Sequence, residues 1–209
     1  MKKFGAFLLA VCLFLSVLTG CANSAVKTNA VPMGESGTWS VFLYLCGSNL
    51  ETKMGAAGKN LDEILGADIP ENVNVIVQTG GAQKWRSHDI PADSLNRWQV
   101  KAGRLSPLES LPQASMGDEQ TFTDFLEYGV KNYPAEKMTV IVWDHGGGSL
   151  EGVANDENFS FDALSLAEMD GALKTVSARM TDRFELFGFD ACLMANYETA
   201  SMLEPYSRY

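Results

Sequence analysis

An α/β fold with a mostly parallel sheet is predicted by four apolar segments of the sequence. Each segment is rich in strand-forming residues and leads through a turn into a helical pattern, which is the alternation of a parallel sheet with helices on its faces. The segments are also nearly continuous in apolar residues, as expected for strands that are buried on both faces. We predict strands over 39–46, 73–79, 138–143 and 184–189.

Helices are predicted between these strands, where apolar residues recur at intervals of three and four. One such pattern covers 50–65, and a second covers 121–133 and is closed by Pro134. A third helix should begin at Ser165, because Glu168 follows three residues later in the order of a capping box.

The segment 80–112 departs from this alternation. It holds Trp85, His88 and Trp98 among short polar stretches, which indicates a hairpin or an elaborated loop at the edge of the sheet. His88 belongs to no motif, and we expect it at the surface.

Length and charge limit the classes of function. The 209 residues, 46% of them hydrophobic, are enough for one compact domain with a sizeable core. The formal net charge is -10, and the positive charges are scattered, so no basic stripe is available to neutralise a phosphate backbone. We therefore expect no nucleic-acid partner.

Residues 1–20 are typical of a bacterial lipoprotein signal peptide. Lys2 and Lys3 precede an apolar run over 4–18 that is too short for an ordinary membrane span. Small residues then lead to Cys21, which looks like the cysteine of a lipobox that receives diacylglycerol and becomes the new N-terminus. With a polar tether over 21–37, this predicts an exported protein of the bacterial cell envelope, lipid-anchored to the outer face of a membrane. A plain signal peptide with a chance cysteine is the alternative.

Two of the four cysteines belong to the predicted mature domain, 38–209. Cys12 leaves with the signal peptide and Cys21 would be acylated, which leaves Cys46 and Cys192 in an export compartment. Disulfides persist there, so a bridge between the two is one alternative. Each cysteine ends an apolar run, however, where a small buried hydrophobe or a functional thiol fits better.

The strand over 138–143 is followed by Asp144, His145 and three glycines. Open parallel sheets bind their ligands beyond the carboxyl ends of the strands. A histidine at that place can act as a general acid/base, and the glycines would let backbone N–H groups approach a developing oxyanion. A structural or merely exposed histidine is the alternative. Because successive strand residues point to opposite faces, we expect Asp144 to make a local turn bond and not to join His145 in a triad.

The strand over 184–189 is followed by Asp190, Ala191 and Cys192. A helical pattern resumes over 196–203, which places Cys192 at a strand-to-helix turn. A helix N-terminus favours the thiolate, the nucleophilic form of cysteine. A free cysteine buried under that helix is the alternative.

Together these segments resemble the clostripain family of cysteine peptidases, in the caspase-like clan CD. The signature of that clan is one hydrophobic strand that ends in His-Gly and another that ends in Ala-Cys. Five ordered blocks carry the resemblance: WSVFLYLCGSNL over 39–50, NVIVQTGGAQKW over 74–85, the segment 116–134, VWDHGGG over 142–148 and GFDACLMA over 188–195. The resemblance implies a caspase-like αβα sandwich. Family members continue well beyond the cysteine strand, so 38–209 is expected to be the N-terminal portion of such a domain.

Carried over position by position, the resemblance implies roles for individual residues. Cys192 would be the nucleophile, and His145 the acid/base that protonates the leaving amine. The backbone N–H groups of Gly146 and Cys192 would form the oxyanion hole. Asp190 would lie in the S1 pocket and select Arg or Lys at P1, because a wrong substrate would leave a buried carboxylate unpaired. A carboxylate that caps the next helix is the alternative for Asp190.

The activity implied is that of a cysteine endopeptidase that cleaves peptides or proteins after Arg or Lys through an acyl-enzyme. That chemistry requires no cofactor, although the family resemblance allows a role for calcium. Asp156, Glu157 and Asp162 lack the spacing of an EF-hand, so we expect a solvated acidic loop and no metal site. Residues 146–173 contain no Lys or Arg, and the basic residues that follow, Lys174, Arg179 and Arg183, lie in or just after a predicted helix. This argues against the family's self-processing between the histidine and cysteine segments.

Two other functions remain open at this point. The first is a catalytically inactive binding module on the same fold, which the expected truncation favours and the presence of both His145 and Cys192 disfavours. The second is a solute-binding lipoprotein, which the predicted anchor alone suggests and which would not need a reactive thiol.

Overall fold

The computed structural model describes residues 33–209, which fold around a six-stranded sheet. The strands are β1 (Trp39–Cys46), β2 (Val73–Gly80), β3 (Ser94–Lys101), β4 (Arg104–Pro112), β5 (Lys137–Trp143) and β8 (Leu186–Asp190). Two short strands, β6 (Val153–Asp156) and β7 (Asp162–Leu164), form a separate antiparallel ribbon. The predicted signal peptide over 1–20, the lipidation site Cys21 and most of the tether lie outside the described residues.

The order of strands across the sheet is β4-β3-β2-β1-β5-β8. The pairs β1–β2, β1–β5 and β5–β8 are parallel, whereas β3 pairs antiparallel with both β2 and β4. The predicted mostly parallel sheet and the predicted edge hairpin in the segment 80–112 are thus confirmed.

Six α-helices connect the strands within residues 33–209: α1 (Ser48–Met54), α2 (Ala56–Leu65), α3 (Glu119–Asn132), α4 (Gly148–Glu151), α5 (Leu166–Ser177) and α6 (Tyr197–Leu203). The single helix predicted over 50–65 is two helices, because Gly55 adopts the left-handed conformation (φ 64°, ψ 32°) and ends α1. The predicted capping box is confirmed, since Ser165 and Glu168 satisfy each other's backbone N–H groups at the start of α5.

The side chains of β1 divide between two apolar layers. Phe42 and Tyr44 pack with α3 and α5 on one face of the sheet, whereas Leu43 and Leu45 pack with α2 on the other. The ring of Tyr44 lies edge-on to that of Phe122, with centroids 5.0 Å apart. This two-sided packing makes the fold the αβα sandwich that the family resemblance implied.

The parallel strands bring three turns together at one edge of the sheet. The register pairs Leu45 of β1 with Trp143 of β5, and Trp143 in turn with Asp190 of β8. The turns that follow β1, β5 and β8 are therefore neighbours at the carboxyl ends of their strands, where ligands bind in open α/β sheets.

The outer edge of β8 is paired only where the strand begins. Residues 206–209 run beside it: the N–H of Phe184 donates to the carbonyl of Tyr206 at 2.9 Å, and that of Phe187 to the carbonyl of Tyr209 at 2.8 Å. Beyond Phe187, no described residue pairs with this edge.

In residues 33–209 no helix has the length and apolar character needed to span a membrane.

Candidate active site

The histidine turn, residues 144–148, follows β5 and is held by the ribbon of β6 and β7. Gly146 forms an antiparallel bridge with Val153, and the N–H of Gly147 donates to the carbonyl of Gly152 at 2.8 Å. Gly148 has a φ of 70°, a conformation that favours glycine, and begins α4. The glycines after His145 therefore allow the chain to turn back and pair with β6.

The cysteine turn, residues 191–196, follows β8. It leads into α6, whose N-cap is Asn196: the Asn196 side chain accepts from the N–H of Thr199 at 2.9 Å. The predicted strand-to-helix turn is present. Three residues separate Cys192 from this N-cap, however, so the expected position of the thiol at the helix N-terminus is wrong.

Both described cysteines are free, so the disulfide alternative between Cys46 and Cys192 is wrong. Cys46 is buried, as predicted for a small hydrophobe. Cys192 is exposed, which also excludes the alternative of a cysteine buried beneath the following helix.

The histidine turn and the cysteine turn lie directly against each other. A Cβ atom at Gly146 would lie 2.1 Å from the carbonyl oxygen of Cys192 and 3.2 Å from the Cβ of Ala191. The N–H of Asp144 also donates to the carbonyl of Asp190 at 3.3 Å. A side chain at position 146 would force the two turns apart, so this close approach requires glycine.

The imidazole of His145 contacts a residue that the sequence analysis did not identify. Its Nε2 lies 2.9 Å from Oδ1 of Asn49, in the first turn of α1. With the amide oxygen of Asn49 as acceptor, Nε2 would be the protonated ring nitrogen and Nδ1 the nitrogen free to accept a proton. Asn49 belongs to the block 39–50, but no pattern in that block sets it apart from its neighbours.

Asp144 is buried beneath this turn, with 3% of its surface exposed. No hydrogen bond of normal geometry reaches either carboxylate oxygen from the described residues, but the backbone N–H of the adjacent His145 lies close enough to interact with the carboxyl group, so the expected local turn bond is present only as a weak contact. Burial raises the pKa of Asp144 to about 8, and nearby backbone N–H groups and the Cys46 thiol offset this only in part. The carboxyl group is therefore mostly protonated at neutral pH. As predicted, it is not the partner of His145.

Asp190 lies at the end of β8 and lines a cavity of about 330 Å³ between the sheet and α2. The other lining residues are mainly apolar and include Leu45, Ile141 and Trp143. Asp190 is exposed, contrary to the expected buried carboxylate. Since Asn196 caps α6, the alternative role of Asp190 as that helix's cap is wrong.

The acidic segment after β6 is not the solvated loop that we expected. Asp156 is 1% exposed and accepts from the N–H groups of Met116 at 2.9 Å and Asn158 at 2.8 Å. Asp162 accepts from the hydroxyl of Ser115. These contacts tie the ribbon to the loop before α3. In the part of the chain that the structure describes, no three His, Cys, Asp or Glu side chains are grouped to hold a metal ion.

His88 is half-buried, so its predicted surface position is wrong. Its Nε2 lies 3.1 Å from the carboxylate of Asp62 and 3.3 Å from the carbonyl of Gly58. It thus packs the loop before β3 against α2.

The sequence profile of the clostripain family matches residues 43–209. The chain belongs to the clostripain family. The family resemblance stated from the sequence is therefore confirmed, and the two juxtaposed turns hold its His-Gly and Ala-Cys segments.

Relatives of this clostripain-family chain include clostripain from Hathewaya histolytica, which is 30% identical over 129 residues, covering 50% of this chain and 23% of that protein. A secreted C11 cysteine protease from Bacteroides thetaiotaomicron, solved with an irreversible peptide inhibitor, has the same fold: the TM-score is 0.62 at 16% identity, over 82% of this chain and 47% of that one.

An inactive zymogen C11 protease from Parabacteroides distasonis gives a TM-score of 0.58 at 21% identity, over 87% of this chain and 48% of that one. The chain thus spans less than a quarter of the curated relative and about half of these solved structures.

Proposed function

We propose that the full-length protein is a cysteine endopeptidase that uses Cys192 as nucleophile and His145 as acid/base. The family to which the chain belongs is one of cysteine peptidases. The observation that supports the proposal is the contact of Gly146 with the backbone carbonyl of Cys192, because it brings together the turn that carries His145 and the turn that carries the exposed Cys192, at the carboxyl ends of the parallel strands.

The reaction begins with transfer of the thiol proton of Cys192 to the imidazole of His145. The thiolate then attacks the scissile carbonyl carbon, and the developing oxyanion accepts hydrogen bonds from the N–H groups of Gly146 and Cys192. Neither N–H donates to a described residue, so both are available for this role.

Collapse of the tetrahedral intermediate breaks the scissile C–N bond, and the imidazolium of His145 gives its proton to the leaving amine. The thioester that remains on Cys192 is hydrolysed by water, with His145 now acting as base. This sequence uses only protein groups and water. It needs no cofactor, and a calcium requirement stays a prediction from the family resemblance.

We assign Arg or Lys preference at P1 to Asp190. Its carboxylate lies at a cavity whose walls are mainly apolar, which suits the aliphatic stem of a long basic side chain. Because Asp190 is exposed here, its selectivity depends on the substrate removing it from water. The substrates would be peptides or proteins outside the cell, reached by export and by the lipid anchor proposed at Cys21.

The test is turnover of fluorogenic peptides with Arg, Lys or neutral residues at P1 by the full-length protein. Cys192→Ala should lower kcat by at least about a thousandfold. The matched control is Cys46→Ala, which removes the other thiol of the domain and should keep activity. Turnover that survives in Cys192→Ala would exclude the proposed mechanism, and no turnover by the wild type would favour the binding module.

A further inference from the structure

Within residues 33–209, Asn49 is the residue whose side chain is hydrogen-bonded to the imidazole of His145. The two residues are far apart in the chain, and the bond is made because β1 and β5 are adjacent parallel strands. Asn49 stands in the first turn of α1, directly beyond the carboxyl end of β1. It therefore approaches the histidine from the strand on the side opposite to β8 and Cys192.

The backbone that carries Asn49 is firmly anchored. The N–H of Gly47 donates to the carbonyl of Gly80 at 2.8 Å. Ser48 is fully buried and has a φ of 48°, a left-handed conformation that a non-glycine residue adopts only where its surroundings require it. This strained residue turns the chain from the strand into α1 and sets the position of Asn49.

Glu51 also holds α1 in place. Its carboxylate is fully buried and accepts from the N–H of Gly58 at 2.8 Å and from the N–H of Arg86 at 2.7 Å. Charge-assisted bonds of this kind are the strong ones, and they tie α1 to both α2 and the loop before β3. Asn49 is thus presented by a helix that is held on two sides.

We propose that Asn49 is a positioning residue that selects the catalytic tautomer of His145. By accepting the Nε2–H proton, its amide oxygen holds the imidazole in one orientation and leaves Nδ1 as the nitrogen that exchanges a proton with Cys192 and the leaving amine. Asp144, the adjacent carboxyl group, is buried below the turn and does not take this place. The inference rests on the proposed acid/base role of His145, but the tautomer is measurable without turnover.

The direct test is nitrogen NMR of the full-length protein labelled with ¹⁵N-histidine. Residues 1–209 contain two histidines, His88 and His145, so His88→Asn removes one set of ring signals and a His145→Asn sample identifies the His145 signals as those that disappear. In the wild type above the titration of the ring, we expect Nε2 to be protonated and Nδ1 not. In Asn49→Ala this preference should be lost and the two tautomers should mix. The matched control is Asn132→Ala, whose amide, within residues 33–209, donates to the carbonyl of Tyr128 on α3 and whose loss should leave the spectrum unchanged.

Kinetics give the second readout. Asn49→Ala should lower kcat by about ten- to a hundredfold with little change in KM, because a mispositioned base affects the transition state more than substrate binding. Asn49→Asp keeps the acceptor and should recover part of kcat. Its negative charge would stabilise the imidazolium form of His145, so the acidic limb of the pH–rate profile should move to higher pH.

The outcomes separate this inference from the proposed function. A wild-type Nδ1–H tautomer, or an Asn49→Ala variant that keeps both the wild-type tautomer and the wild-type kcat, would overturn the role of Asn49. Absence of turnover in the wild type would refute the peptidase proposal, while the tautomer measurement would still decide what Asn49 does. Circular dichroism of each variant checks that it folds.

Discussion

The histidine turn and the cysteine turn are supported differently. The histidine turn follows β5, which is paired along both sides by β1 and β8, and it is held further by Asn49 and by the bridge to β6. The cysteine turn follows β8, the edge strand, whose outer side is paired only near its start. The candidate dyad thus joins a residue from the sheet interior to one from the sheet edge.

The contacts of the cysteine turn are correspondingly fewer. Met194 is buried, but Leu193 is 72% exposed and has a φ of 61°. Asn196 makes the main link by donating from its side chain to the carbonyl of Leu193 at 2.9 Å. Beside the turn, an open groove of about 940 Å³ runs along β8 and α6 and is lined by Phe187, Phe189, Ala191, Leu203 and Tyr209 among others.

This difference indicates which part of the site is preformed. The orientation of His145 is set by elements that are complete within the described residues. The position of Cys192 depends mainly on its contact with the histidine turn and on Asn196. Changes that separate the two turns should therefore damage activity more than changes on either side alone.

The largest effect is expected from Gly146→Ala. The added Cβ would meet the carbonyl oxygen of Cys192 at 2.1 Å, so the turns must separate and the dyad should be lost. We predict a fall in kcat/KM of about a thousandfold, with destabilisation of about 1–3 kcal/mol. Peptide turnover and thermal unfolding measure the two effects.

Gly188→Ala is the control for that substitution. Gly188 lies within β8, and its added Cβ would meet nothing closer than 3.4 Å, an ordinary contact. Activity should stay near the wild-type level. Equal activity of the two variants would show that the contact between the turns does not matter for catalysis.

A second prediction concerns the two aspartates at the ends of β5 and β8, Asp144 buried and Asp190 exposed. Burial raises the pKa of Asp144 to about 8, above its ordinary value of 3.8. The unfolded chain loses this proton near pH 4, whereas the folded protein holds it up to about pH 8. Between these pH values the free energy of unfolding therefore falls as the pH rises.

Asp144→Asn, which is neutral throughout, should remove this contribution. Its stability relative to the wild type should rise by about 1 kcal/mol for each pH unit between pH 5 and pH 7. Urea unfolding at several pH values measures the trend. Asp190→Asn makes the same change at the exposed strand end and should leave the wild-type pH dependence in place. A stability difference for Asp144→Asn that does not vary with pH would refute the assignment.

The smallest effect is expected from Asp190→Ala. Loss of an exposed carboxylate should lower the ratio of kcat/KM for Arg or Lys over neutral P1 residues by about tenfold, chiefly through KM. The neutral-P1 peptide serves as the internal control. A wild-type enzyme that cleaves neutral-P1 peptides as fast as basic-P1 peptides would refute the assignment of Asp190 to the S1 pocket.

The sequence predicts the layout of this domain well because its strands are buried on both faces. The bounds of β1 match the prediction, and the boundaries of the other parallel strands differ by at most two residues. The helix over 50–65 was the main error, because the break at Gly55 depends on backbone conformation rather than on apolar spacing. The two turns that carry His145 and Cys192 are also predicted from the sequence, because each follows a strand directly.

The polar contacts around the site could not be read from the sequence. Asn49 meets His145 only because two distant segments become neighbouring strands. Asp144 and Asp156 are buried although charged residues are seldom found inside without a charged partner, and local sequence gives no sign of it. Their environments are set by packing between elements, which a single sequence does not display.

The most direct test of the central claim is covalent labelling of the full-length protein with an Arg-containing peptidyl acyloxymethyl ketone, followed by mass spectrometry of the modified cysteine. We predict that Cys192 alone is labelled, and that labelling slows by at least about a hundredfold in His145→Ala, because the imidazole is needed to activate the thiol. Labelling of Cys192 at the wild-type rate without His145 would contradict the account.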